Sequence, residues 1–202
     1  MSISLGRILP IVVIDSADDA EPLAEALLAG GIRQVEVTLR TPAAIEAARR
    51  MARHDDLVVG VGTALTTDDV SRAADAGARF IVSPGLIEPV VERTLALGLA
   101  SIPGIATATE LARASAFGLD LLKVFPAEQL GGVAMIAALA AVFPEVRFMP
   151  SGGIGPTNAG AYLSHPAVTA IGGSWMAPRE AIKARDFLSI ADLCTAAGEL
   201  LR

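Results

Sequence analysis

The feature that most constrains this chain is a rhythm. Short apolar runs alternate with alanine-rich stretches about once every 20 to 26 residues, the length of one strand plus one crossover helix. The runs fall at residues 8–14, 34–39, 57–62, 79–83, 100–105, 121–125, 146–150 and 168–172. Helical stretches follow at 18–29, 42–53, 67–76, 88–97, 107–117, 131–142 and 156–163, with a last helix over 186–201. Local signals mark the cuts. Thr41-Pro42 reads as an N-cap with proline in the first helical position, and Thr107-Ala108-Thr109-Glu110 reads as a capping box. Glycines after Ala29, Ala76, Leu97 and Phe117 stop helices.

About eight such units leave two α/β architectures: a closed barrel or an open doubly wound sheet. The count favours the barrel, as do glycine pairs after the seventh and eighth runs. The expectation is a single (β/α)8 TIM barrel, one domain over residues 1–202, because nothing reads as a linker or a low-complexity tract. At 202 residues its loops must be short.

Strand ends are where a barrel gathers its chemistry. The sixth run, Leu121-Leu122-Lys123-Val124-Phe125-Pro126, carries a lysine inside an apolar segment. The chain has 16 basic residues, of which only Lys123 and Lys183 are lysines. Arginine serves elsewhere as the plain positive charge. Lysine differs in being able to lose its proton and attack a carbonyl. Read alone, Lys123 is equally a nucleophile or a side chain that snorkels to water.

On the second run, Glu36, Thr38 and Arg40 share one face and Val35, Val37 and Leu39 the other. A polar face suits either a solvated edge or a barrel mouth, and a closed barrel has no edge. The third run ends Gly60-Val61-Gly62-Thr63, with a hydroxyl beside glycines; the fourth ends Ser83-Pro84-Gly85 and the fifth has Pro103-Gly104, both turn chemistry. After the seventh comes Ser151-Gly152-Gly153 and after the eighth Gly172-Gly173-Ser174-Trp175. Each glycine pair frees backbone N–H groups before a helical stretch, and barrels hold phosphate between these two loops. Neither run contains Lys or Arg, so anion binding there rests on N–H groups, helix dipoles and hydroxyls. A lysine, a carboxylate, a cation and a phosphate cradle together fit a phosphorylated keto acid handled through a Schiff base.

Composition removes other classes. A net charge of -6 argues against nucleic acid as a partner. No apolar run approaches the ~18 residues of a membrane span, and the apolar start reads as a strand, not a signal peptide. The lone Cys194 fits a reducing cytosol, and the two histidines, His54 and His165, read as surface residues instead of metal ligands.

At these residues the chain resembles the class I aldolases acting on 2-keto-3-deoxy-6-phosphogluconate (KDPG), many of which also cleave 4-hydroxy-2-oxoglutarate (KHG). The resemblance rests on Val35-Glu36-Val37-Thr38-Leu39-Arg40-Thr41, Gly60-Val61-Gly62-Thr63, Ser83-Pro84-Gly85-Leu86, Ile102-Pro103-Gly104-Ile105, Lys123-Val124-Phe125-Pro126-Ala127-Glu128, Ser151-Gly152-Gly153-Ile154 and Gly172-Gly173-Ser174-Trp175, in order along nearly the whole chain. It implies Lys123 as the Schiff-base lysine and Glu36 as general acid/base. It implies Arg40 and Thr63 at the substrate carboxylate and keto region, Pro84 and Phe125 as pocket walls, and Ser151, Gly152, Gly153, Gly173 and Ser174 at the phosphate. It further implies pyruvate and glyceraldehyde 3-phosphate as products (pyruvate and glyoxylate from the oxoglutarate), no cofactor or metal, a homotrimer, the cytoplasm and the Entner–Doudoroff route. Two positions depart from the family's usual pattern: Ser151 stands where threonine is common, and Val124 where an aromatic is common. The aldolase for the galactonate epimer, which lacks the Leu-Arg and Ser-Pro-Gly forms seen here, is an alternative. A sugar-phosphate isomerase or decarboxylase, a metabolite-sensing barrel and, last, a metal-dependent aldolase are others.

Overall fold

The computed structural model describes residues 3–201; Met1, Ser2 and Arg202, which belong to the expected 1–202 domain, lie outside them. The strands are β1 (Ile8–Val12), β2 (Gln34–Thr38), β3 (Val58–Gly62), β4 (Phe80–Ser83), β5 (Ala100–Ile105), β6 (Leu121–Val124), β7 (Arg147–Pro150) and β8 (Ile171–Gly173). The helices are α1 (Ala20–Ala29), α2 (Ala44–Met51), α3 (Thr67–Asp75), α4 (Glu88–Ala96), α5 (Ala108–Ala116), α6 (Gly132–Val142), α7 (Ala159–Leu163), α8 (Arg179–Lys183) and α9 (Phe187–Glu199). Each strand is parallel to its neighbours, in the order β7-β6-β5-β4-β3-β2-β1-β8. Two isolated bridges, Phe148 to Val168 and Ser151 to Gly172, bring β7 against the last strand and close the ring. This is the (β/α)8 barrel expected from the rhythm.

Alternation along the strands splits the core in two. One set of side chains packs between barrel and helices, including Val35, Val37, Val59, Val61, Ile81, Ile105, Leu122, Val124 and Phe148. The other fills the barrel itself: Leu9, Phe80, Val82, Ala100, Ile102, Met149 and Ala170, with Leu5 closing the bottom. Val124 falls in the outer set, as its place next to Lys123 requires. The inner layer is made by pairing large with small. Gly60 stands in register with Phe80, and a Cβ on Gly60 would lie 2.1 Å from the Phe80 ring. At the floor, the buried Gln34 spends its amide on the Gly6 and Ile8 backbone: Nε2 donates to Ile8 O at 2.7 Å, and Oε1 accepts from Gly6 N at 2.6 Å.

Several ends differ from expectation. α2 begins at Ala44, and Thr41 does not cap it, because the Thr41 hydroxyl donates to the Ile14 carbonyl across the β1 end. The best-formed box belongs to α3, where Thr66 Oγ1 accepts from Asp69 N–H at 3.1 Å and Asp69 Oδ2 accepts from Thr66 N–H at 3.0 Å. At α5, Glu110 reaches one residue further back, to the Ala106 N–H at 2.8 Å. Gly77, Gly98 and Gly118 take the left-handed conformation that ends a helix, whereas after α1 that task falls to Gly31 and not to Gly30. The eighth strand is shorter and later than read, because Val168 makes only a single bridge. The short α8, ended by Arg185 at φ 57, was not anticipated.

Replacing Gly60 by alanine overpacks the inner layer against a fully buried ring. The variant should lose about 1–3 kcal/mol of unfolding free energy, measured as a lower urea midpoint at unchanged slope.

Candidate active site

The strand register that makes the barrel also sets the site. Glu36 is the middle residue of β2, and Lys123 lies on β6 opposite Gly104 of β5 and Met149 of β7. Both point inward. The two side chains meet across the barrel, Lys123 Nζ donating to Glu36 Oε1 at 3.4 Å. Lys123 is 6% exposed and Glu36 1%. The second carboxylate oxygen, Glu36 Oε2, is buried and has no hydrogen-bond partner among the described residues. Leaving such an atom unpaired is expensive, which singles this carboxylate out as one kept for work and not for stability. One glycine gives the pair room, and a second admits the turn after β4. A Cβ at Gly62 would lie 2.0 Å from Glu36 Oε1, and one at Gly104 would lie 2.2 Å from the Pro84 carbonyl oxygen.

Above the pair opens a cavity of about 330 Å³. Of the residues singled out by sequence, Arg40, Lys123, Phe125, Ser151, Gly152, Gly153, Gly173 and Ser174 line it. Glu36 lies beneath it, reached through Lys123. Thr63 and Pro84 do not contribute to its wall. Thr63 follows β3 in a left-handed conformation (φ 61), and the residue before Pro84, Ser83, donates its hydroxyl to Gly85 O at 2.7 Å in the turn its sequence suggests. On β2 the expected shared face is divided: Arg40 reaches the cavity rim, while the Thr38 hydroxyl is occupied by the Val12 carbonyl at 2.8 Å. Phe125 stands beside the lysine, with Nζ 5.4 Å from the ring centroid.

The loop after β7 is held from outside and open inside. Ala127 N–H donates to Ser151 O at 2.8 Å and Glu128 N–H to Gly152 O at 3.1 Å. The Asn158 side chain clasps the far end, accepting from Gly155 N–H at 2.8 Å and donating to Gly153 O at 3.0 Å. Gly152 and Gly153 take consecutive left-handed conformations, φ 94 and 79. A Cβ on Gly153 would meet the Glu128 side chain at 2.7 Å, and Glu128 is itself bonded by the Tyr162 hydroxyl. Burial, with Glu128 beside it, pushes the Tyr162 hydroxyl's pKa up, keeping it a neutral donor. The N–H groups of Gly152, Gly153 and Ser174 donate to no protein acceptor among the described residues. Unengaged backbone donors grouped in this way are what an anion cradle requires.

The helix dipoles expected behind the cradle are not adjacent to it. α7 starts only at Ala159 and α8 only at Arg179, and a dipole's influence fades beyond its first turn. Sequence reading did not assign six lining residues to the site: Ile11, Val13, Ile154, Gly172, Ala177 and, most consequentially, Arg179. The β1 pair was legible in principle, since Ile11 and Val13 alternate with Leu9 on the inward face. Among the described residues no cluster of three or more His, Cys, Asp or Glu side chains could hold a metal, and both histidines are half-buried instead of surface-exposed. Among the described residues no helix is long and apolar enough to cross a membrane.

A closed (β/α)8 barrel with a buried lysine–carboxylate pair under a cavity edged by backbone N–H donors has the parts that lysine chemistry on an anionic carbonyl compound requires. Comparison with known proteins narrows this. The family described as KDPG and KHG aldolase matches residues 2–193. The 2-dehydro-3-deoxy-phosphogluconate aldolase of Treponema pallidum is 48% identical over 188 residues, covering 93% of this chain and 90% of that protein. Among solved structures, KDPG aldolase from Legionella pneumophila, with pyruvate captured as a covalent carbinolamine intermediate, superposes with a TM-score of 0.92 at 41% identity, covering 96% of this chain and 94% of that one. The Zymomonas mobilis enzyme with 3-phosphoglycerate gives 0.91 at 40%, covering 98% and 94%. The chain belongs to the KDPG and KHG aldolase family.

Alanine at Gly62 tests how tightly the pair is packed. Its methyl group displaces the Glu36 carboxylate, and a structure of the variant should show the Lys123–Glu36 separation opened beyond the ~4 Å of an ion pair on an otherwise retained barrel.

Proposed function

We propose that this protein is a class I aldolase that cleaves 2-keto-3-deoxy-6-phosphogluconate to pyruvate and glyceraldehyde 3-phosphate, with Lys123 as the Schiff-base residue and Glu36 as its acid/base partner. The observation that carries the reading is the buried contact of 3.4 Å between these two side chains at the cavity floor. Family membership and the carbinolamine captured in the Legionella relative support it.

Lys123 passes a proton to Glu36 and, as the neutral amine, attacks the C2 keto carbon; one of the remaining amine protons moves to the carbonyl oxygen, giving a neutral carbinolamine. Glu36 supplies a proton to the departing hydroxyl, which leaves as water, and the C2–N double bond of the iminium remains. Glu36, now a carboxylate, takes the C4 hydroxyl proton. The C3–C4 bond breaks, its electron pair moves into the iminium to give an enamine, and the C4 oxygen becomes the aldehyde of glyceraldehyde 3-phosphate. Protonation at C3 restores an iminium, and water releases pyruvate and the free lysine. A group that both gives and takes protons must have an oxygen uncommitted to the fold, which is the condition of Glu36 Oε2. The lysine iminium is the electron sink, so no step requires a metal.

Arg40 faces the substrate carboxylate, with Thr63 and Pro84 beyond the cavity wall shaping the turns behind it. Phe125 walls the keto end. Ser151, Gly152, Gly153, Gly173 and Ser174 take the phosphoryl group. KHG is a second substrate on the same chemistry, giving pyruvate and glyoxylate. The setting proposed is cytoplasmic, and the assembly a homotrimer, which sedimentation should report as a single species of three times the chain mass.

Pyruvate with borohydride should leave a stable adduct on Lys123, located by peptide mass mapping. Lys123→Arg keeps the charge and removes the nucleophile, so adduct and turnover should vanish together. Glu36→Gln should lower turnover by about 10²–10⁴-fold. An adduct on Lys183, or near-normal turnover in either variant, contradicts the assignment.

A further inference from the structure

Arg179 lines the cavity and has no part in the steps above. The charges around the cavity give it one. Three cations line it, Arg40, Lys123 and Arg179, and no carboxylate is among the lining residues, although the chain as a whole carries a net charge of -6. The proposed substrate has an anion at each end. Lys123 must be neutral when it attacks and cannot be a lasting countercharge. Arg40 answers the carboxylate. The phosphoryl group, the more highly charged end, is left with backbone N–H groups and hydroxyls, because the helix N-termini start too far along to assist.

Arg179 shares the wall with Gly173 and Ser174 on the β8 side. Its guanidinium is held by a fork to Asp15, which follows β1: Nε to Oδ2 at 2.9 Å and Nη2 to Oδ1 at 2.6 Å. That fork uses two of the five guanidinium N–H donors, and three remain for a ligand. Asp15 has a second cation, Lys183 Nζ at 3.8 Å, so its charge stays compensated if Arg179 is shared with an anion. The Arg179 hydrogen bonds hold the Asp15 carboxyl below the usual carboxylate range, and the anchor stays charged at neutral pH. A guanidinium oriented in advance loses less freedom on binding than a loose one.

We propose that Arg179, held by Asp15, is the specificity-determining cation for the phosphoryl end of the substrate. It sets the preference for phosphorylated over unphosphorylated keto acids. The substrate half of this statement rests on the function proposed above; the anion affinity of Arg179 does not need the lysine chemistry.

Arg179→Ala should raise KM for KDPG about tenfold, the loss expected for a charge-assisted hydrogen bond, with kcat falling by less. The ratio of kcat/KM for KDPG to that for KHG should fall by a similar factor. Arg179→Lys should recover part of the loss, and Asp15→Asn should reproduce part of it. Binding of inorganic phosphate, followed by calorimetry on the wild type and on Arg179→Ala, should weaken about tenfold. Equal losses for both substrates, loss of pyruvate trapping on Lys123 in Arg179→Ala, or unchanged phosphate binding would overturn the assignment. If the wild type fails to turn over KDPG while phosphate binding still depends on Arg179, the proposed substrate falls and the anion site stands.

Discussion

The contact between Lys123 and Glu36 is the constraint on which the rest of the molecule depends. It joins β6 to β2, two strands 87 residues apart in sequence. Burying two ionisable groups costs more than their attraction returns unless every remaining polar atom is satisfied, and here Oε2 of Glu36 is not. The pair is therefore a net burden on folding, and the barrel around it must absorb that burden. The two hydrophobic layers do so. The outer one packs every helix against the barrel, and the inner one fills the space below the pair with Phe80, Ile102 and Met149. Glycine at position 62 then admits the Glu36 carboxylate.

The site is electrostatically opposite to its carrier. An acidic chain keeps other anions at a distance over most of its surface, and the cavity inverts the sign locally through arginines that enter from β2 and α8. Arg179 and Asp15 bridge the first and last parts of the barrel, 164 residues apart. They join the same two ends of the chain that the β1–β8 pairing joins. The Arg179 side of the positive rim is thus assembled by the same return of the chain that sets β8 beside β1.

Much of this was legible in the sequence, for physical reasons that differ by element. Parallel strands buried on both faces leave apolar runs at regular spacing, so the number of strands could be read, and the count with the two glycine pairs favoured a barrel over an open sheet. Lys123 stood out because a lysine in such a run must be explained. Glu36 and Arg40 stood out because alternation put them on one inward face. What escaped reading were features decided by side chains distant in sequence. Thr41 looks like a cap, but the Ile14 carbonyl claims its hydroxyl. The glycine pairs look like helix starts, but the chain continues for several residues before α7 and α8. Arg179 opens the short α8, which carries no sequence signal of a site, and only the return of the chain over β8 toward Asp15 brings it to the cavity. Thr63 and Pro84 match the family's pattern yet stand outside the cavity wall, a distinction that no spacing encodes.

The filled interior has a consequence for the order of events. Below the lysine the barrel is solid: Leu9, Phe80, Ile102 and Met149 occupy it, and Gln34 seals the floor by bonding to the N-terminal backbone. The site is closed from below. On the proposed chemistry the three-carbon keto fragment is tethered at the bottom, and the phosphorylated aldehyde occupies the neck above it. Traffic must then be last in, first out. The aldehyde leaves before pyruvate can pass, and in the condensing direction pyruvate must enter before the aldehyde. Architecture and covalent tethering impose the same sequence independently, so the turnover order is written into the packing of residues that never touch the substrate.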